Sequence, residues 1–523
     1  MSSSLLPLQT TTPRLLSAAA ERWPDACALH DGALRLSYSE LDALRWRATR
    51  ALIALGVRHG DRVAIWAPNL WEWVVAALAI HSAGAVLVPV NTRMRGNEAG
   101  DILAASGARV LFCIGDFLSV YYPDLLQEHR PATLEHCVVL RSPRADATGW
   151  DDFLRRGDEV PEHAARERAT AVTTDDLSDL MFTSGTTGRP KAVMTAHGQN
   201  LRAIAAWGQA MELEAGERYL IVGPFFHAFG YKAGWLAALM HGVTIIPQMV
   251  FDTEAVLTRI AAERINVLPG PPTLFHSILA HPRLADFDLS SLRATVTGAA
   301  SIPPVLIERM RSELGFKTVL TGYGLTESCG FATLCEAGDD ADTIANTCGR
   351  AIPGMELRCV DGDGRPQEPG VAGEVVIRGY NVMRGYFNDA DGTREAIDAQ
   401  GWLHTGDVGT LDARGYLRIT DRLKDMYISG GFNCYPAEIE RLLSAHPAIA
   451  QVAVVGMPDE RLGEVGKAFV VLREGARLTG AELIAWARSQ MANYKVPAVV
   501  RFLDALPVNA GGKVLKHQLR EMQ

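Results

Sequence analysis

The chain has 523 residues, of which 48% are hydrophobic and 21% are charged, and its formal net charge is -9. This length exceeds what a single hydrophobic core normally holds, so we expect several lobes. The composition excludes a disordered or membrane-embedded protein, and the negative charge gives no general attraction to nucleic acid or to an anionic bilayer. Any phosphate chemistry must therefore be concentrated in particular loops.

The sequence shows no targeting or membrane signal. The eight cysteines are scattered, without the close pairs of zinc or redox motifs, which is typical of reduced thiols. Residues 1–13 lack a basic region followed by an apolar one, and the most apolar stretch, 73–90, is interrupted by His81, Ser82 and Gly84. That stretch predicts a buried helix and a strand rather than a membrane span. These features favour a cytoplasmic protein without a transmembrane segment.

The first half of the chain has the pattern of layered α/β structure. Between residue 13 and about residue 90, helical patterns alternate with short apolar runs, and Ser37 with Glu40 forms a capping box at a helix start. Residues 141–176 are rich in charge, Pro, Gly and Thr, which predicts a surface excursion at a subdomain border. Further apolar runs, separated by helical segments, follow at 219–222, 244–247, 267–268 and 294–296.

The pattern changes after Arg350. Short strand-like runs at 355–360, 373–378 and 416–420 are joined by Gly-rich and Asp-rich turns and predict a small β-rich lobe. The final part of the chain mixes strand and helix signals, including a capping box of Thr479 and Glu482. The predicted fold class is therefore α/β, with a multi-lobed N-terminal domain of two α/β lobes and a β-rich lobe, followed by a small α+β C-terminal domain.

A loop rich in hydroxyls follows the apolar residues 180–182. From Thr183 to Lys191 the sequence TSGTTGRPK places four hydroxyls, two glycines and two cations within nine residues. Glycines allow backbone amides to approach an anion, hydroxyls donate hydrogen bonds, and the cations neutralise phosphate oxygens. The loop lacks the spacing of a P-loop, so we interpret it as a different kind of polyphosphate clamp.

This string resembles the signature of the adenylate-forming superfamily, which includes acyl-CoA synthetases, firefly-type luciferases and peptide-synthetase adenylation domains. The resemblance covers nearly the whole chain and continues in the family's order with FFHAFGY at 225–231, GYGLTE at 322–327, TGD at 405–407, DRLKDMYISGG at 421–431 and NAGGK at 509–513. Ala192 and Asp421 depart from the glycines that many members have at these positions. The resemblance implies ATP, Mg²⁺ and coenzyme A as cofactors or co-substrates.

The resemblance also implies the roles of individual residues. Tyr323 offers a face to adenine, Thr326 contacts the α-phosphate, Glu327 holds Mg²⁺, Asp407 takes the ribose hydroxyls, and Lys513 bridges the carboxylate and the α-phosphate during adenylation. The catalytic set is Lys513, His227, Thr326 and Glu327. The implied nucleotide and CoA contacts are Thr183, Ser184, Gly185, Thr186, Thr187, Gly188, Lys191, Gly298, Ala299, Gly322, Tyr323, Gly324, Asp407, Arg422, Gly430 and Gly431.

The two half-reactions of such an enzyme need different groups around one adenylate. The family meets this need by rotating its C-terminal domain about a hinge, which corresponds here to Lys424. The resemblance thus divides the chain into an adenylation domain, 1–423, and a mobile domain, 424–523. Gly430 and Gly431 resemble the surface beside the pantetheine channel, although a plain turn explains two adjacent glycines equally well.

The acyl pocket is expected beside Phe229, Tyr231 and Lys232. The aromatic motif lacks the aspartate with which amino-acid-activating domains meet an ammonium group, which argues against a peptide-synthetase role. Two interpretations of Lys232 stay open: its ammonium extends to solvent, or it meets a distal keto or carboxylate oxygen of the acid. Several strings, including LPGPPTLFHS, GGFNCYPAEIE and DERLGEVGKAFVV, are similar to actinobacterial CoA ligases of steroid catabolism, which act on an indane-dione propionate.

We therefore expect an ATP-dependent carboxylic acid:CoA ligase that forms an acyl-adenylate and releases AMP and pyrophosphate. The resemblance suggests a bulky cyclic propionate as the acid, with medium-chain fatty acids and aryl acids as rivals. Alternatives are a ligase that loads an acyl carrier protein, a luciferase-like oxygenase, and a non-catalytic binding protein on the same fold. The expected partners are the acid, ATP and CoA, with homodimer formation left open.

Overall fold

Capping side chains define the start of two predicted helices. In the computed structural model, which describes residues 10–183, 190–298, 302–422, 427–434, 436–507 and 514–522, the Ser37 hydroxyl accepts a hydrogen bond from the Glu40 amide at 3.2 Å. The Glu40 carboxylate in turn accepts the Ser37 amide at 2.8 Å, and Thr479 with Glu482 repeats the arrangement. Both predicted capping boxes are confirmed, since each satisfies amides that have no partner within the helix.

The helices are short and alternate with strands. The α-helices are α1 Thr12–Arg22, α2 Tyr38–Ala54, α3 Trp71–Ser82, α4 Gly96–Ser106, α5 Tyr122–Leu126, α6 Trp150–Arg156, α7 Glu162–Ala171, α8 His197–Ala210, α9 Ala228–Gly230, α10 Ala237–His241, α11 Thr253–Glu263, α12 Pro272–Leu279, α13 Pro304–Ser312, α14 Ala341–Asn346, α15 Ala390–Ala396, α16 Pro436–Ser444, α17 Gly480–Gln490 and α18 Lys516–Glu521. A π-helical stretch, Tyr231–Leu236, joins α9 to α10. No helix in the described ranges is both long and apolar enough to span a bilayer.

The strands fall into an N-terminal and a C-terminal group. Those of the N-terminal region, residues 10–422, are β1 Cys27–Asp31, β2 Leu34–Ser37, β3 Arg62–Trp66, β4 Val86–Pro89, β5 Val110–Cys113, β6 Asp116–Phe117, β7 Val120–Tyr121, β8 His136–Val139, β9 Thr148–Gly149, β10 Leu177–Thr183, β11 Lys191–Ala196, β12 Arg218–Ile221, β13 Thr244–Pro247, β14 Ala294–Val296, β15 Thr318–Leu320, β16 Gly322–Tyr323, β17 Thr333–Leu334, β18 Arg350–Ala351, β19 Met355–Val360, β20 Gly373–Gly379, β21 Gly385–Tyr386, β22 Leu403–Leu411 and β23 Leu417–Arg422. Those of the C-terminal region, residues 427–522, are β24 Tyr427–Ser429, β25 Phe432–Cys434, β26 Ile449–Asp459, β27 Gly463–Leu472 and β28 Val499–Phe502.

Three larger sheets form most of the described N-terminal region, and β16-β17-β18 and β6-β7 form smaller ones. The first has eight strands in the order β21-β11-β10-β4-β3-β5-β8-β9, and the second has the order β12-β13-β1-β2. Parallel bridges from Tyr219 to Val267 and from Val267 to Ala294 extend the second sheet to the β14–β15 pair. An antiparallel sheet, β19-β20-β22-β23, forms the β-rich lobe predicted after Arg350. The predicted fold class, two α/β lobes and a β-rich lobe followed by a small α+β unit, is confirmed.

The most apolar stretch of the sequence is part of the main core. Eleven of the twelve residues of α3 are buried, and the helix contacts β3 and β4 of the first sheet and β1 of the second. Hydrophobic residues surround such a helix on all sides because it has no face toward water. The prediction of a buried helix and a following strand, in place of a membrane span, is therefore confirmed.

One sequence expectation about the fold was incomplete. Residues 141–176 lie largely at the surface, as predicted, but they include the helices α6 and α7. Trp150 and Phe153 are only 6% and 0% exposed and pack with Phe112 of β5. Two large aromatic rings provide enough apolar area to hold this segment on the main core, despite its many charged residues.

The C-terminal sheet packs differently on its two faces. Its strands lie in the order β25-β24-β27-β26, and β28 pairs with β27. Val454, Ala468 and Val470 on one face pack against side chains of α16 and α17. Alternate residues of the same strands, together with Leu506, Val514 and Leu519, form a second cluster on the opposite face.

Candidate active site

Several predicted site residues follow parallel strands at one edge of the second sheet. Strand β12 runs into the aromatic segment that contains His227, β14 is followed by Gly298, and β15 is followed by Gly322 and Tyr323. The carboxyl ends of neighbouring parallel strands lie at the same edge, where ligands of open α/β sheets usually bind. The fold therefore places three separate sequence motifs at one cleft.

A buried asparagine positions the aromatic segment. The Asn69 amide nitrogen donates to the carbonyls of Ile221 and Gly223, both at 3.0 Å, and its oxygen accepts the Phe225 amide at 2.8 Å. His227 then accepts the Phe229 amide at 3.3 Å and begins α9. The His227 side chain keeps an exposed surface, yet the surrounding protein lowers the pKa of its imidazole by desolvation. The exposed imidazole is therefore open to a ligand at this edge of the sheet.

Aromatic rings pack together beside His227. Phe229 meets Trp207 edge to face, with the ring centroids 5.6 Å apart, and Trp207 also contacts Phe331 at 5.2 Å. Phe229 and Phe331 come from segments that follow β12 and β16, so these rings join two of the motifs. Tyr231, which was also predicted beside the acid, is completely buried and stacks on Trp235 at 5.0 Å.

The expectation for Lys232 needs correction. Its side chain is 0% exposed, so the ammonium does not extend to solvent, and it lies 3.2 Å from a carboxylate oxygen of Asp179, which is also 0% exposed. The ammonium further donates to the Thr195 hydroxyl at 3.0 Å. A fully buried lysine requires a charged or polar partner, and Asp179 supplies it within the core. Lys232 is therefore neutralised by the protein and is not directed at a substrate oxygen.

The GYGLTE and TGD motifs meet through one hydrogen bond. The Tyr323 hydroxyl donates to the Asp407 carboxylate at 2.6 Å, and Asp407 is 8% exposed. Glu374 holds the preceding turn, because its carboxylate accepts the Gly406 amide at 3.1 Å and contacts His404 at 2.9 Å. The predicted adenine-binding ring and the predicted ribose-binding carboxylate thus lie side by side, in an orientation fixed by β20 and β22.

A glycine is required within the first of these motifs. A Cβ atom on Gly324 would lie 2.1 Å from the Cα atom of Phe331. No side chain fits at that distance, so packing alone explains this glycine. Thr326 follows at the start of the 3₁₀ turn Thr326–Ser328, directly before Glu327.

Glu327 connects the cleft to the first sheet. Its carboxylate accepts the Tyr386 hydroxyl at 3.0 Å, and the Lys191 ammonium lies 4.7 Å from the Tyr386 ring centroid. Burial raises the pKa of Glu327, while the Tyr386 hydrogen bond and the charge of Lys191 oppose that rise. The predicted metal ligand and the predicted phosphate-binding lysine therefore face the same aromatic ring.

The donor set around Glu327 fits a magnesium ion that is held mainly by a nucleotide. Clusters of three or more His, Cys, Asp or Glu side chains suited to a metal do not occur in the part of the chain that the structure describes. Mg²⁺ commonly takes one or two carboxylates and completes its shell with phosphate oxygens and water. A single carboxylate beside Lys191 matches that mode of binding.

The base of the predicted phosphate loop lies beside this carboxylate. Thr183 ends β10 and pairs with Lys191 at the start of β11. Its hydroxyl donates to the Lys191 carbonyl at 3.4 Å. Ser184, Gly185, Thr186, Thr187 and Gly188 lie outside the described residues.

Further predicted residues belong to the C-terminal part of the site. Gly430 and Gly431, with φ of 55° and 82°, form the two-residue turn between β24 and β25, so this left-handed turn alone explains both glycines. The backbone of Arg422 pairs with Asp407 in the β-rich lobe. Ala299, Lys424, Lys513 and the side chain of Arg422 lie outside the described part of the structure.

Sequence reasoning missed the residues that hold the site together. Asn69, Asp179, Glu374 and Tyr386 each bond to a predicted site residue or to its neighbour in the chain. A buried polar residue between apolar neighbours is a weak signal for Asn69 and Asp179, because hydrogen bonds in the core produce the same pattern. Tyr386 gave no sequence signal of its own.

Comparison with known proteins identifies the family. Residues 16–387 match the AMP-binding enzyme family, and residues 438–513 match the AMP-binding enzyme C-terminal domain. The chain therefore belongs to the AMP-binding enzymes.

Several proteins similar to this chain are CoA ligases or CoA synthetases. The chain is 52% identical over 513 residues to a 3-[(3aS,4S,7aS)-7a-methyl-1,5-dioxo-octahydro-1H-inden-4-yl]propanoyl:CoA ligase of Mycobacterium tuberculosis, with 98% of this chain and 99% of that relative covered. It is 39% identical to a feruloyl-CoA synthase of an Amycolatopsis species, with 95% and 96% covered. The o-succinylbenzoate CoA synthetase of Bacillus subtilis superposes with a TM-score of 0.83 at 28% identity, with 98% and 99% covered. The predicted enzyme class, an AMP-forming acyl-CoA synthetase, is confirmed.

Proposed function

We propose that this enzyme activates a bicyclic indane-dione propionate with ATP and transfers the acyl group to coenzyme A. The observation that carries the choice of acid is the 52% identity to an indane-dione propionyl:CoA ligase over 98% of this chain. The partly exposed ring of Phe229, which packs on the buried ring of Trp207, supports the choice, because it offers an apolar surface to a ring of the acid. The feruloyl-CoA synthase makes an aryl acid the main rival.

In the first half-reaction, the protein side chains orient ATP for attack by the acid. Tyr323 contacts the adenine, Asp407 binds the ribose hydroxyls, and Lys191 with the phosphate loop binds the outer phosphates. A carboxylate oxygen of the acid attacks the α-phosphorus, its new bond forms in line with the breaking one, and pyrophosphate leaves. Glu327 would hold Mg²⁺, which would neutralise phosphate charge, and Lys513 stabilises the charge that develops on the α-phosphate.

In the second half-reaction, the sulfur of CoA attacks the acyl carbon, and AMP leaves with the oxygen that came from the acid. His227 borders the acid as a neutral imidazole, since desolvation lowers its pKa. An uncharged side chain at residue 227 places no ion beside the apolar ring system of the acid. The C-terminal region turns about Lys424 between the two steps, so that Lys513 acts in the first step and the Gly430–Gly431 turn lies beside the thiol in the second.

The acid is tested by acid-dependent pyrophosphate release with ATP and Mg²⁺, followed by mass spectrometry of the product after CoA is added. The panel contains the indane-dione propionate, ferulate and octanoate. We expect the kcat/KM for the indane-dione propionate to exceed that for ferulate and octanoate by about tenfold or more. A difference of this size corresponds to the contacts of one or two well-packed substrate groups that the other acids lack. A Glu327→Gln variant serves as the matched control and is expected to release pyrophosphate at least about a hundredfold more slowly. A higher kcat/KM for ferulate or octanoate would contradict the assignment of the acid and leave the enzyme class unaffected.

The hinge is tested separately with Lys424→Pro. Proline fixes φ, so we expect the variant to slow thioester formation much more than adenylation. Equal losses in both half-reactions would contradict the assignment of the hinge.

The magnesium requirement is checked by chelation, which is expected to abolish pyrophosphate release. Homodimer formation stays a prediction.

A further inference from the structure

A buried cluster of three charges joins the two regions of the molecule. The Lys495 ammonium lies 2.8 Å from a carboxylate oxygen of Glu98 and 2.7 Å from one of Glu438. The three side chains are 2%, 7% and 6% exposed. Glu98 belongs to α4 of the N-terminal region, whereas Glu438 belongs to α16 and therefore to the same region as Lys495. We call these three residues the ion triad.

Polar and ring contacts surround the triad at the same boundary. The Asn91 amide donates to the Tyr494 hydroxyl at 3.2 Å, and the Asn97 amide donates to the Gln490 carbonyl at 3.4 Å. The Arg93 guanidinium lies 4.3 Å from the centroid of the Phe432 ring, which itself stacks on Tyr494. These contacts are individually weak, because hydrogen bonds and cation–π pairs near a surface contribute about 1 kcal/mol or less. The ion triad is the strongly desolvated part of the boundary.

The contacts of the C-terminal region come from one face of its sheet. Tyr494 packs with the cluster of α16 and α17 on that face. Lys513 lies between the described residues Pro507 and Val514, and the Leu515 amide donates a 2.8 Å hydrogen bond to the Pro507 carbonyl. The neighbouring residues Leu506 and Val514 pack on the opposite face. The sheet face on which Leu506 and Val514 pack is therefore turned away from the N-terminal region. The opposite face, which carries Tyr494, is turned toward it.

We infer that the ion triad is a positioning device that holds the C-terminal region in the orientation used for thioester formation. This inference rests on the proposed function, in which Lys513 acts during adenylation and must then move away. Lys495 and Glu438 travel together when the C-terminal region turns, so Glu98 is the partner that is released. After release, Lys495 keeps only the Glu438 carboxylate, and Glu98 becomes hydrated. The difference in free energy between the paired and the released triad selects between the two orientations.

The charge of Lys495 persists throughout the working pH range. Burial alone would lower its pKa, but Tyr494, Glu438 and Glu98 outweigh that effect and hold the pKa well above its ordinary value. Glu98 has a second role, since it also accepts the Arg95 amide at 2.9 Å at the start of α4. The substitution that tests the triad must therefore keep an acceptor at residue 98.

Glu98→Gln removes the charge and keeps the shape and the acceptor. With the indane-dione propionate as the probe acid, adenylation is followed by pyrophosphate release without CoA, and thioester formation by rapid quench after CoA is added to the preformed adenylate. We expect about a tenfold or greater loss in the thioester step, as one buried charge pair is broken, and a change of less than about twofold in adenylation. Asn97→Ala is the matched control on the same helix turn and should leave both steps within about twofold of wild type. Glu98→Asp, which keeps the charge on a shorter arm, should recover part of the lost rate.

Hydrogen–deuterium exchange of the ligand-free protein tests the triad independently of any acid. We expect Glu98→Gln to raise exchange in residues 490–495 and to leave the exchange of β3 to β5 unchanged, because only the boundary loosens. Unchanged exchange at 490–495, equal losses in both half-reactions, or a selective loss of adenylation would overturn the inference. Failure of the proposed function would appear differently, as the absence of acid-dependent pyrophosphate release by the wild-type protein.

Discussion

Lys232 and Lys495 are the most deeply buried lysines among the described residues, and they differ in whether the ion pair stays within one region or joins two. Lys232 is 0% exposed, and its partner Asp179 lies in the same core. Lys495 is 2% exposed, but one of its partners, Glu98, belongs to the other region of the molecule. The first ion pair breaks only when the N-terminal region unfolds, whereas the second would break if the C-terminal region turns as we propose. The same chemistry would then stabilise a fold in one place and select an orientation in the other.

The largest effect is expected from Lys232→Met. This change leaves the buried Asp179 carboxylate without its cation, although Thr195 and Asn200 still donate to it at 2.6 Å. We expect the free energy of unfolding of the N-terminal region to fall by roughly 3–5 kcal/mol, measured by urea denaturation with tryptophan fluorescence. The double variant Lys232→Met with Asp179→Asn should recover much of this loss, since no charge remains buried. If Lys232→Met alone is as stable as the wild type, the ion pair with Asp179 does not stabilise the core, and the contrast between the two lysines is contradicted.

Lys495→Met should act on the reaction and not on the main core. It removes the cation from Glu98 and Glu438 together, so we expect a loss of about tenfold or more in thioester formation, with an unchanged unfolding transition of the N-terminal region. Combining it with Glu98→Gln should add little, because both changes break the same contact across the boundary. Fully additive losses, measured by rapid quench, would show that the two residues act separately.

Acidification should distinguish the two regions as well. Burial lowers the pKa of His81 to about 4 and that of His197 well below its ordinary value, so the folded N-terminal region excludes protons that the unfolded chain binds below pH about 6.5. Stability should therefore fall by about 1 kcal/mol per pH unit for each imidazole as the pH drops from about 6.5 toward 4. Lys495 behaves oppositely, because its pKa is raised. Its contribution to the free energy of unfolding is complete below about pH 10.5 and is lost only above that value.

Two measurements check this difference. Urea denaturation between pH 7 and 5 should show a falling free energy of unfolding, and His81→Gln should make that dependence shallower. The ratio of the two half-reaction rates should stay constant between about pH 7 and 8, because Lys495, whose pKa is raised, keeps its charge there. A ratio that changes steeply in this range would contradict the role given to Lys495.

The smallest effect is expected from Tyr323→Phe. The change removes the 2.6 Å hydrogen bond to Asp407 within the fixed region and keeps the ring for adenine. We expect KM for ATP to rise by about twofold to tenfold, as one hydrogen bond is lost, without a change in the ratio of the half-reactions. Steady-state kinetics at saturating acid and CoA measure the effect. A loss confined to thioester formation would instead indicate that Tyr323 contributes to the step that follows rotation of the C-terminal region.

Local signals and ordered motifs made much of the molecule predictable from sequence. The capping box at Ser37, the buried helix α3 and the β-rich lobe each depend on residues that are close together in the chain. The aromatic and phosphate-binding motifs were recognised because several hydroxyls, glycines and rings occur together. Each of these features carries its information within about ten residues.

The errors and omissions involve partners that are distant in sequence. Lys232 was expected to meet solvent or substrate because its partner Asp179 lies 53 positions earlier, on a strand whose pairing the sequence does not reveal. Glu98 and Lys495 are separated by 397 positions and meet only when two independently packed regions dock. The helices α6 and α7 were missed because charged residues outnumber the aromatic rings that anchor α6 and the two alanines that bury α7 against Trp46.

The most direct test of the proposed reaction follows one oxygen atom. The indane-dione propionate, labelled with ¹⁸O in its carboxylate, is converted with unlabelled ATP, Mg²⁺ and CoA, and the nucleotide product is analysed by mass spectrometry. If the acid attacks the α-phosphorus, AMP acquires one ¹⁸O atom and pyrophosphate acquires none. Formation of ADP with labelled phosphate, or of AMP without label, would contradict the acyl-adenylate and with it the roles proposed for Tyr323, Glu327 and Asp407.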